Sequence, residues 1–311
     1  MNTKLISIVT PCFNEEENVN ELAARIRMVM QDSPYSYEHI FIDNASTDTT
    51  AIKIKQLIQD DKNVKLIVNA RNFGHLKSPY YAILNAHGDA VILMASDLQD
   101  PPELIPALLE KWEKGFKTVL IVKKQSMESR LMFFIRKLYY KLMDYISEVP
   151  LISNAHGSGL FDRVVINHLI KINDAYPYLR GLLCELGYPI GTVEFEQPRR
   201  LRGITKNNFY TLFDTAMLGI TNHSKLPLRL MTIIGFILSM ACAFAAIIFL
   251  VLKLLYWNQF AFGLAPMLIG LFFVGSIQLF FLGLLGEYVG SIHTQMRNMP
   301  LAVELERVNF D

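Results

Sequence analysis

Several features that commonly announce a protein's chemistry are scarce or missing in this chain. Its 311 residues include three cysteines, Cys12, Cys184 and Cys242. They are scattered without metal-ligand spacing, which argues for a reducing compartment and against both a disulfide framework and a zinc cluster. The formal charge is only +1, and bulk nucleic-acid binding demands a concentrated basic surface. Neither a G-x-G-x-x-G turn nor a G-x-x-x-x-G-K-[ST] loop occurs, so the usual dinucleotide and P-loop solutions are disfavoured. There is no internal repeat and no low-complexity linker. Nor is there a secretory signal pattern, because the chain runs directly into the strand-like Leu5-Ile6-Ser7-Ile8-Val9. The soluble part is therefore expected to stay in the cytoplasm.

Apolar residues make up 51% of the chain, and the last quarter holds most of the excess. No charged side chain interrupts Leu230 to Leu252 or Phe260 to Gly286, and each run exceeds the ~20 residues that span a bilayer. Two membrane helices are predicted, with two buried core helices as the alternative. Lys225 and Arg229 precede the first run, and His293 and Arg297 follow the second. Positive outer flanks predict that both termini are cytoplasmic. Lys253 weakens this bias, although it can snorkel to the interface, and Tyr256 and Trp257 suit the opposite surface. Gly263, Gly270, Gly275, Gly283 and Gly286 offer close-packing surfaces, from which a homo-oligomer is expected.

The first half alternates strands and helices. Strand patterns at Leu5 to Thr10, His39 to Ile42, Val64 to Val68, Val91 to Met94 and Thr118 to Val122 are interleaved with amphipathic stretches through Val19, Leu22, Ile26 and Val29 and over Ala51 to Ile58. This predicts an α/β fold with a mainly parallel sheet. Three strand-end loops are rich in polar groups: Thr10 to Glu17, Asp43 to Asp48, and the turn holding Asp97 and Gln99. In open α/β sheets ligands bind at such loops. Asp100 is expected to cap the next helix, with Pro101 in its first position and Glu103 near its positive end. Asp97 and Gln99 would then point the same way from an extended turn. Two oxygen ligands with open coordination positions suit Mg²⁺ or Mn²⁺ bridged to a diphosphate. A capped turn with no ligand is the alternative.

Between residues 126 and 146, Arg130, Arg136, Lys137 and Lys141 alternate with Phe133, Phe134, Tyr139 and Tyr140. A basic amphipathic helix lying in the headgroup region accounts for this, as does an ordinary solvated helix. Residues 207 to 223 could form a second interfacial helix. The run Arg199-Arg200-Leu201-Arg202 suits either substrate contact or anionic headgroups.

Taken in order, the motifs resemble the family 2 glycosyltransferases, in particular the branch that moves a sugar from a nucleotide onto a polyprenyl phosphate. The resemblance rests on Thr10-Pro11 with Asn14-Glu15-Glu16, Asp43 to Asp48, Arg71-Asn72-Phe73-Gly74, Asp97 to Glu103, Asp162-Arg163, Leu179-Arg180-Gly181, Arg202-Gly203 with Thr205-Lys206, and Pro227-Leu228-Arg229. It covers almost the whole chain. Two membrane helices look more like the bacterial bactoprenol glucosyltransferases than like four-span synthases.

The resemblance implies a GT-A-type nucleotide-sugar domain over residues 1–206. An interfacial segment at 207–227, two membrane helices at 228–290 and a cytoplasmic tail at 291–311 would follow. It implies that Pro11, Asn14, Glu15 and Asp43 hold the base and ribose, with Asn44 and Asn72 among the nucleotide-sugar contacts. Asp97 and Gln99 match the metal-binding pair, and Lys123 and Arg130 the region receiving the acceptor's phosphate. Arg202 and Lys206 match a basic loop that closes over the donor diphosphate, which makes Asp97, Arg202 and Lys206 the expected catalytic residues.

This chain departs from the pattern in three places. Ala95 and Asn44 each stand where the family has an Asp, and Gly157-Ser158-Gly159-Leu160 replaces an Asp-Phe-Arg-Leu stretch. The last change reads as a changed pocket or an inert flexible loop, with His156 structural.

The expected reaction is inverting transfer of a hexose, with UDP-glucose preferred, to undecaprenyl phosphate at the cytoplasmic face of a bacterial inner membrane, for cell-envelope glycan or O-antigen modification. Other sugars, including aminosugars and mannose, remain alternatives, as does a catalytically silent membrane scaffold suggested by Ala95 and Asn44. A processive polysaccharide synthase would carry a Gln/Arg-x-x-Arg-Trp motif, and neither Trp112 nor Trp257 lies in that context.

Overall fold

The computed structural model describes residues 4–123, 152, 155–196, 217–221, 224–256 and 264–310. The first half builds β1 (Leu5–Cys12), α1 (Val19–Gln31), β2 (Ser36–Asp43), α2 (Thr50–Asp60), β3 (Val64–Asn69), α3 (Gly74–Asn85), β4 (Ala90–Leu93), α4 (Ile105–Glu113) and β5 (Thr118–Lys123). It continues with β6 (Ala155–Asp162), α5 (Arg163–Ile172), α6 (Leu179–Glu185), β7 (Ile190–Phe195), α7 (Leu226–Leu255), α8 (Leu264–Met296) and β8 (Glu304–Val308).

The strands form one sheet in the order β7-β5-β6-β4-β1-β2-β3-β8. The β1 strand runs parallel to β2 and β4, β2 parallel to β3, and β5 parallel to β7. Antiparallel pairing is confined to β6, against β4 and β5, and to β8, against β3. The carboxyl ends of β1, β2, β3, β4 and β5 therefore share one edge.

Alternation along the strands explains why helices cover both faces. Ile6, Ile8, Phe41, Leu66, Ile92, Val119 and Leu160 face a core closed by Val19, Leu22, Ile26, Ile54, Leu108 and Trp112 of α1, α2 and α4. Val9, Ile40, Ile42, Ile67, Val91, Leu120 and Phe161 face a second core closed by Tyr80, Ile83, Val165, Leu169 and Leu183 of α3, α5 and α6. Period-two side chains buried on both faces are what a parallel sheet between helix layers requires.

Three expectations change in these elements. Asp100 is not a cap: it is fully buried and accepts a hydrogen bond from Ser158 Oγ at 2.7 Å. A 3-10 turn at Pro102–Leu104 precedes α4, with Pro101 outside it in extended conformation. Residues 157–160 lie within β6 and are not a loop. A Cβ on Gly159 would sit 2.2 Å from the Val119 carbonyl oxygen, so only glycine lets β6 approach β5 there.

The two apolar runs become α7 and α8, of 30 and 33 residues. Within them Leu226–Ala245 and Gly270–Met296 are long and apolar enough to cross a membrane, and neither is buried against the rest of the protein. Phe236, Phe244, Phe272, Leu279 and Phe280 all project outward. At its end nearer the sheet, α8 is tied to the start of α7 by Tyr288, whose hydroxyl donates to the Ser224 carbonyl at 2.8 Å. Residues beyond α8, expected only as a tail, then return to the sheet as β8.

Candidate active site at the carboxyl edge of the sheet

At this edge the loops after β1 and β2 are laced into one another. Asn14, two residues past the end of β1, takes a left-handed conformation (φ 54°). Its amide donates to Ser46 Oγ at 2.9 Å and its Oδ1 accepts from Thr47 N at 2.8 Å. Glu15 N donates to Thr50 Oγ1 at 2.9 Å, while Glu15 Oε2 accepts from Asn18 Nδ2 at 2.6 Å. Asp48 anchors the start of α2, accepting from Thr50 N at 3.0 Å, and Lys53 Nζ reaches the Glu16 carbonyl at 2.9 Å. Pro11 is the last residue but one of β1, paired opposite Ile42.

Asp43, at the end of β2, is buried and accepts from the Ser46 amide at 3.1 Å and from the Ser46 hydroxyl. Burial pushes its carboxyl up; the Ser46 hydrogen bonds only partly offset this, and the nearby Asp48 charge adds to it. Ala45, two residues on, is left-handed at φ 62°.

The next residue to Asp43 is a hub. Asn44 Oδ1 accepts from Asn69 Nδ2 at 3.1 Å and from Phe73 N at 2.9 Å. Its Nδ2 donates to Asn72 Oδ1 at 2.9 Å and to the Gly74 carbonyl at 3.2 Å. An aspartate cannot donate, so it could not serve the Gly74 carbonyl. The asparagine that departs from the family pattern is thus the residue this loop needs. It is buried and braces Asn72, whose Oδ1 also accepts from Gly74 N at 2.8 Å.

The third loop follows β4. Leu98 is left-handed at φ 58°, which makes Asp97 and Gln99 flank a reversal rather than an extended turn. Asp97 Oδ1 accepts from Gln99 N at 3.2 Å, and both side chains are half-buried. Asp100 and Ser158 support this turn from below. Cys12 joins the loops: it is buried, hydrogen-bonded with Ser96, and close to Asp43 and Glu15. Burial and then those carboxylates raise its thiol pKa well above the ordinary value, so it stays protonated and inert.

Lys123 ends β5 at the same edge, half-buried. Arg130, Arg202 and Lys206 lie outside the described residues, as do the segments 126–146 and most of 207–223. The motif Asp162-Arg163 lies at the opposite edge, where Asp162 pairs with Ala90, caps α5 through Val164 N, and accepts from Trp112 Nε1 at 2.8 Å. Its work is structural.

Asn69 was not expected from the sequence as part of this site, and Asp100 was expected only as a cap. A polar residue at a strand's carboxyl end was the available signal for Asn69. Among the described residues no group of three or more His, Cys, Asp or Glu side chains could hold a metal unaided. Asp97 and Gln99 offer oxygen donors of the kind Mg²⁺ or Mn²⁺ accepts when a substrate diphosphate completes its shell.

The family comparison agrees with this architecture. The sequence pattern of glycosyl transferase family 2 matches residues 7–169. A prophage-derived bactoprenol glucosyl transferase of Shigella flexneri is 34% identical over 297 residues, 95% of this chain and 96% of its own length. A glycosyltransferase of Synechocystis is 33% identical over 298 residues, 95% of this chain and 93% of its own. Among solved structures, glucosyl-3-phosphoglycerate synthase from Mycobacterium tuberculosis, in complex with Mn²⁺, UDP and phosphoglyceric acid, superposes with a TM-score of 0.51. It shares 17% identity, covering 70% of this chain and 76% of that one, and so bears on the fold alone. The chain belongs to glycosyl transferase family 2. It is a glycosyltransferase with a GT-A-like fold.

Proposed function

We propose that the protein transfers a hexose from a nucleotide sugar, UDP-glucose first among candidates, to undecaprenyl phosphate at the cytoplasmic face of a bacterial inner membrane, for cell-envelope glycan or O-antigen modification. The observation that carries this reading is the pairing of a nucleotide-sugar-type edge with two membrane-length helices, in a chain aligned almost end to end with a bactoprenol glucosyl transferase. Because β8 returns to the sheet after α8, both ends of the helical pair are drawn to one side, which supports cytoplasmic termini and two crossings.

In this reading Pro11, Asn14, Glu15 and Asp43 form the nucleotide pocket, with Asn72 presented by Asn44. A phosphate monoester has a second pKa of about 6, so the acceptor is already ionised near neutrality and needs no strong base. Its oxygen attacks the anomeric carbon, the bond from that carbon to the nucleoside diphosphate breaks, and configuration inverts. Lys123 and Arg130 hold the incoming phosphate while Arg202 and Lys206 lie beside the leaving diphosphate. Asp97 and Gln99 would hold Mg²⁺ or Mn²⁺, which supplies charge neutralisation at that diphosphate. The helical glycines would serve contacts between copies.

The test is detergent-purified protein with undecaprenyl phosphate, Mg²⁺ or Mn²⁺, and a panel of UDP- and GDP-sugars, followed by mass spectrometry. One sugar-phospholipid product is expected, lost on chelation and restored by one of the two metals. Nucleotide binding with no product from any donor would turn the reading towards a silent scaffold.

A further inference from the structure

The chain beyond the membrane-type helices docks, at Val303, on the same loop that presents Asn72, and then runs back along β3. Four residues separate the end of α8 from Leu301, which packs on the core beneath α3. Ala302 is buried, and the Val303 carbonyl accepts from Ala70 N at 2.8 Å. β8 then runs antiparallel to β3, pairing Val68 with Glu306 and, after a register shift, Asn69 with Glu304. Side chains fasten the strand along its length. Lys55 Nζ meets Glu306 at 2.6 Å, Tyr81 Oη donates to Glu304 at 2.9 Å, and Arg307 Nη2 reaches Asn85 Oδ1 at 2.8 Å. Asn309 Nδ2 donates to the Lys62 and Val64 carbonyls at 2.9 and 2.8 Å.

The register shift falls at Asn69, and Asn69 is the link to the site. Its Nδ2 donates to Asn44 Oδ1 and, at 2.9 Å, to Ser78 Oγ. Its Oδ1 is buried without a hydrogen-bond donor, so side-chain bonding does not saturate this residue. Pairing with Glu304 of β8 is a further constraint on it. One residue further, Val303 holds Ala70, and Asn44 holds Phe73 and Gly74. Arg297, directly after α8, and Arg71 of the loop both act on Lys77 of α3, whose pKa is lowered chiefly by burial and then by these two charges.

We propose that residues 301–309 act as a positioning strap: their docking on β3 sets the conformation of the Ala70–Gly74 loop and couples the inner end of α8 to the nucleotide pocket. The functional half of this inference rests on the nucleotide-sugar reading above; the conformational half does not. It assigns the tail a role in donor binding beyond edge protection, which covering a sheet edge alone would supply.

The test uses the full chain in detergent with hydrogen exchange and UDP or GDP as binding probes. Ala302→Glu drives a carboxylate into the buried contact. Arg307→Ala with Asn309→Ala releases the fastenings at the outer end of the strand, together with the Arg307 ion pair to Glu304, and covers the case in which the first variant does not fold. In whichever variant frees β8, judged by exchange of its own amides, the Phe73 and Gly74 amides should exchange about tenfold faster and nucleotide affinity should fall about tenfold. Ala70 is an uninformative probe because it loses its partner directly. Unchanged protection of Phe73 and Gly74 with β8 released would overturn the strap, as would loosened amides with undiminished nucleotide affinity. A wild-type protein that binds neither UDP nor GDP would strike the nucleotide reading instead, and the exchange rates alone would then decide the strap.

Discussion

The two edges of the sheet use buried polar groups in opposite ways. At the amino edge, polar side chains close on one another. Ser7 Oγ donates to Glu38 at 2.5 Å, Lys65 Nζ meets Glu38 at 2.8 Å, His87 N donates to Glu38 at 3.0 Å, and Gly88 N donates to Ser7 Oγ at 2.7 Å. Arg163 caps the group by donating to the Ala86 and Gly88 carbonyls at 2.8 Å. At the carboxyl edge, β1, β2 and β4 each run into a loop with a non-glycine residue in left-handed conformation: Asn14, Ala45 and Leu98. For alanine and leucine that conformation costs about 1–2 kcal/mol each. Strain held in place by neighbouring hydrogen bonds points towards function, and a network gathered around one ion-paired carboxylate, Glu38, points towards stability.

The largest effects should separate the edges cleanly. Asp97→Asn keeps the size of the side chain and removes its charge. Turnover should fall by roughly 10²–10³-fold, the scale for deleting one preorganised electrostatic contact, while the thermal midpoint stays close to wild type. Glu38→Ala should do the reverse. Burial pushes the Glu38 carboxyl up, but Lys65, Ser7 and the His87 amide outweigh this and hold it below its ordinary range. Removing it strands Lys65 and Ser7, at about 3–5 kcal/mol, seen as a lower denaturation midpoint with kcat per folded molecule unchanged. If Glu38→Ala instead lowered turnover in the folded fraction, the division between the edges would be wrong.

How far this division was legible in the sequence depended on the distance between partners. The alternation from β1 to β5 lies within short windows, so strands and loops could be read directly, and with them Asp43, Asp97 and Gln99. The α3 helix was missed because Pro79 interrupts its pattern. The β6 strand was hidden by Gly157, which takes a positive φ of 95°, and by Gly159, whose reason is the approach of β5. In β8, Glu304, Glu306 and Arg307 read as a solvated tail; the strand's partner lies more than two hundred residues earlier. Asn44 looked like a lost carboxylate, since its four partners at Asn69, Asn72, Phe73 and Gly74 meet it only in the fold. Asp100 is the instructive error. Asp-Pro-Pro-Glu is a sound capping pattern, but Ser158 in an antiparallel neighbour takes the carboxylate inward.

The smallest effect concerns a pair midway between the edges, and it sharpens the comparison by asking where the closed style of network ends. His39 is buried against Phe41, and its Nε2 lies 3.0 Å from Thr10 Oγ1. Burial lowers its pKa from 6.5 to about 3. Below pH 6.5 the unfolded chain therefore takes up a proton that the folded protein refuses until about pH 3. The stability contributed by neutral His39 is complete above pH 6.5 and is lost as pH falls through that window, at about 1.4 kcal/mol per pH unit. Between pH 6.5 and pH 5.5 the unfolding free energy should fall by about 1 kcal/mol, and His39→Gln should flatten this part of the profile. Nucleotide affinity measured across the same interval should not follow it, because Thr10 and His39 satisfy each other below the loops. A matching loss of affinity would place this pair with the carboxyl edge, making His39 part of the site's support.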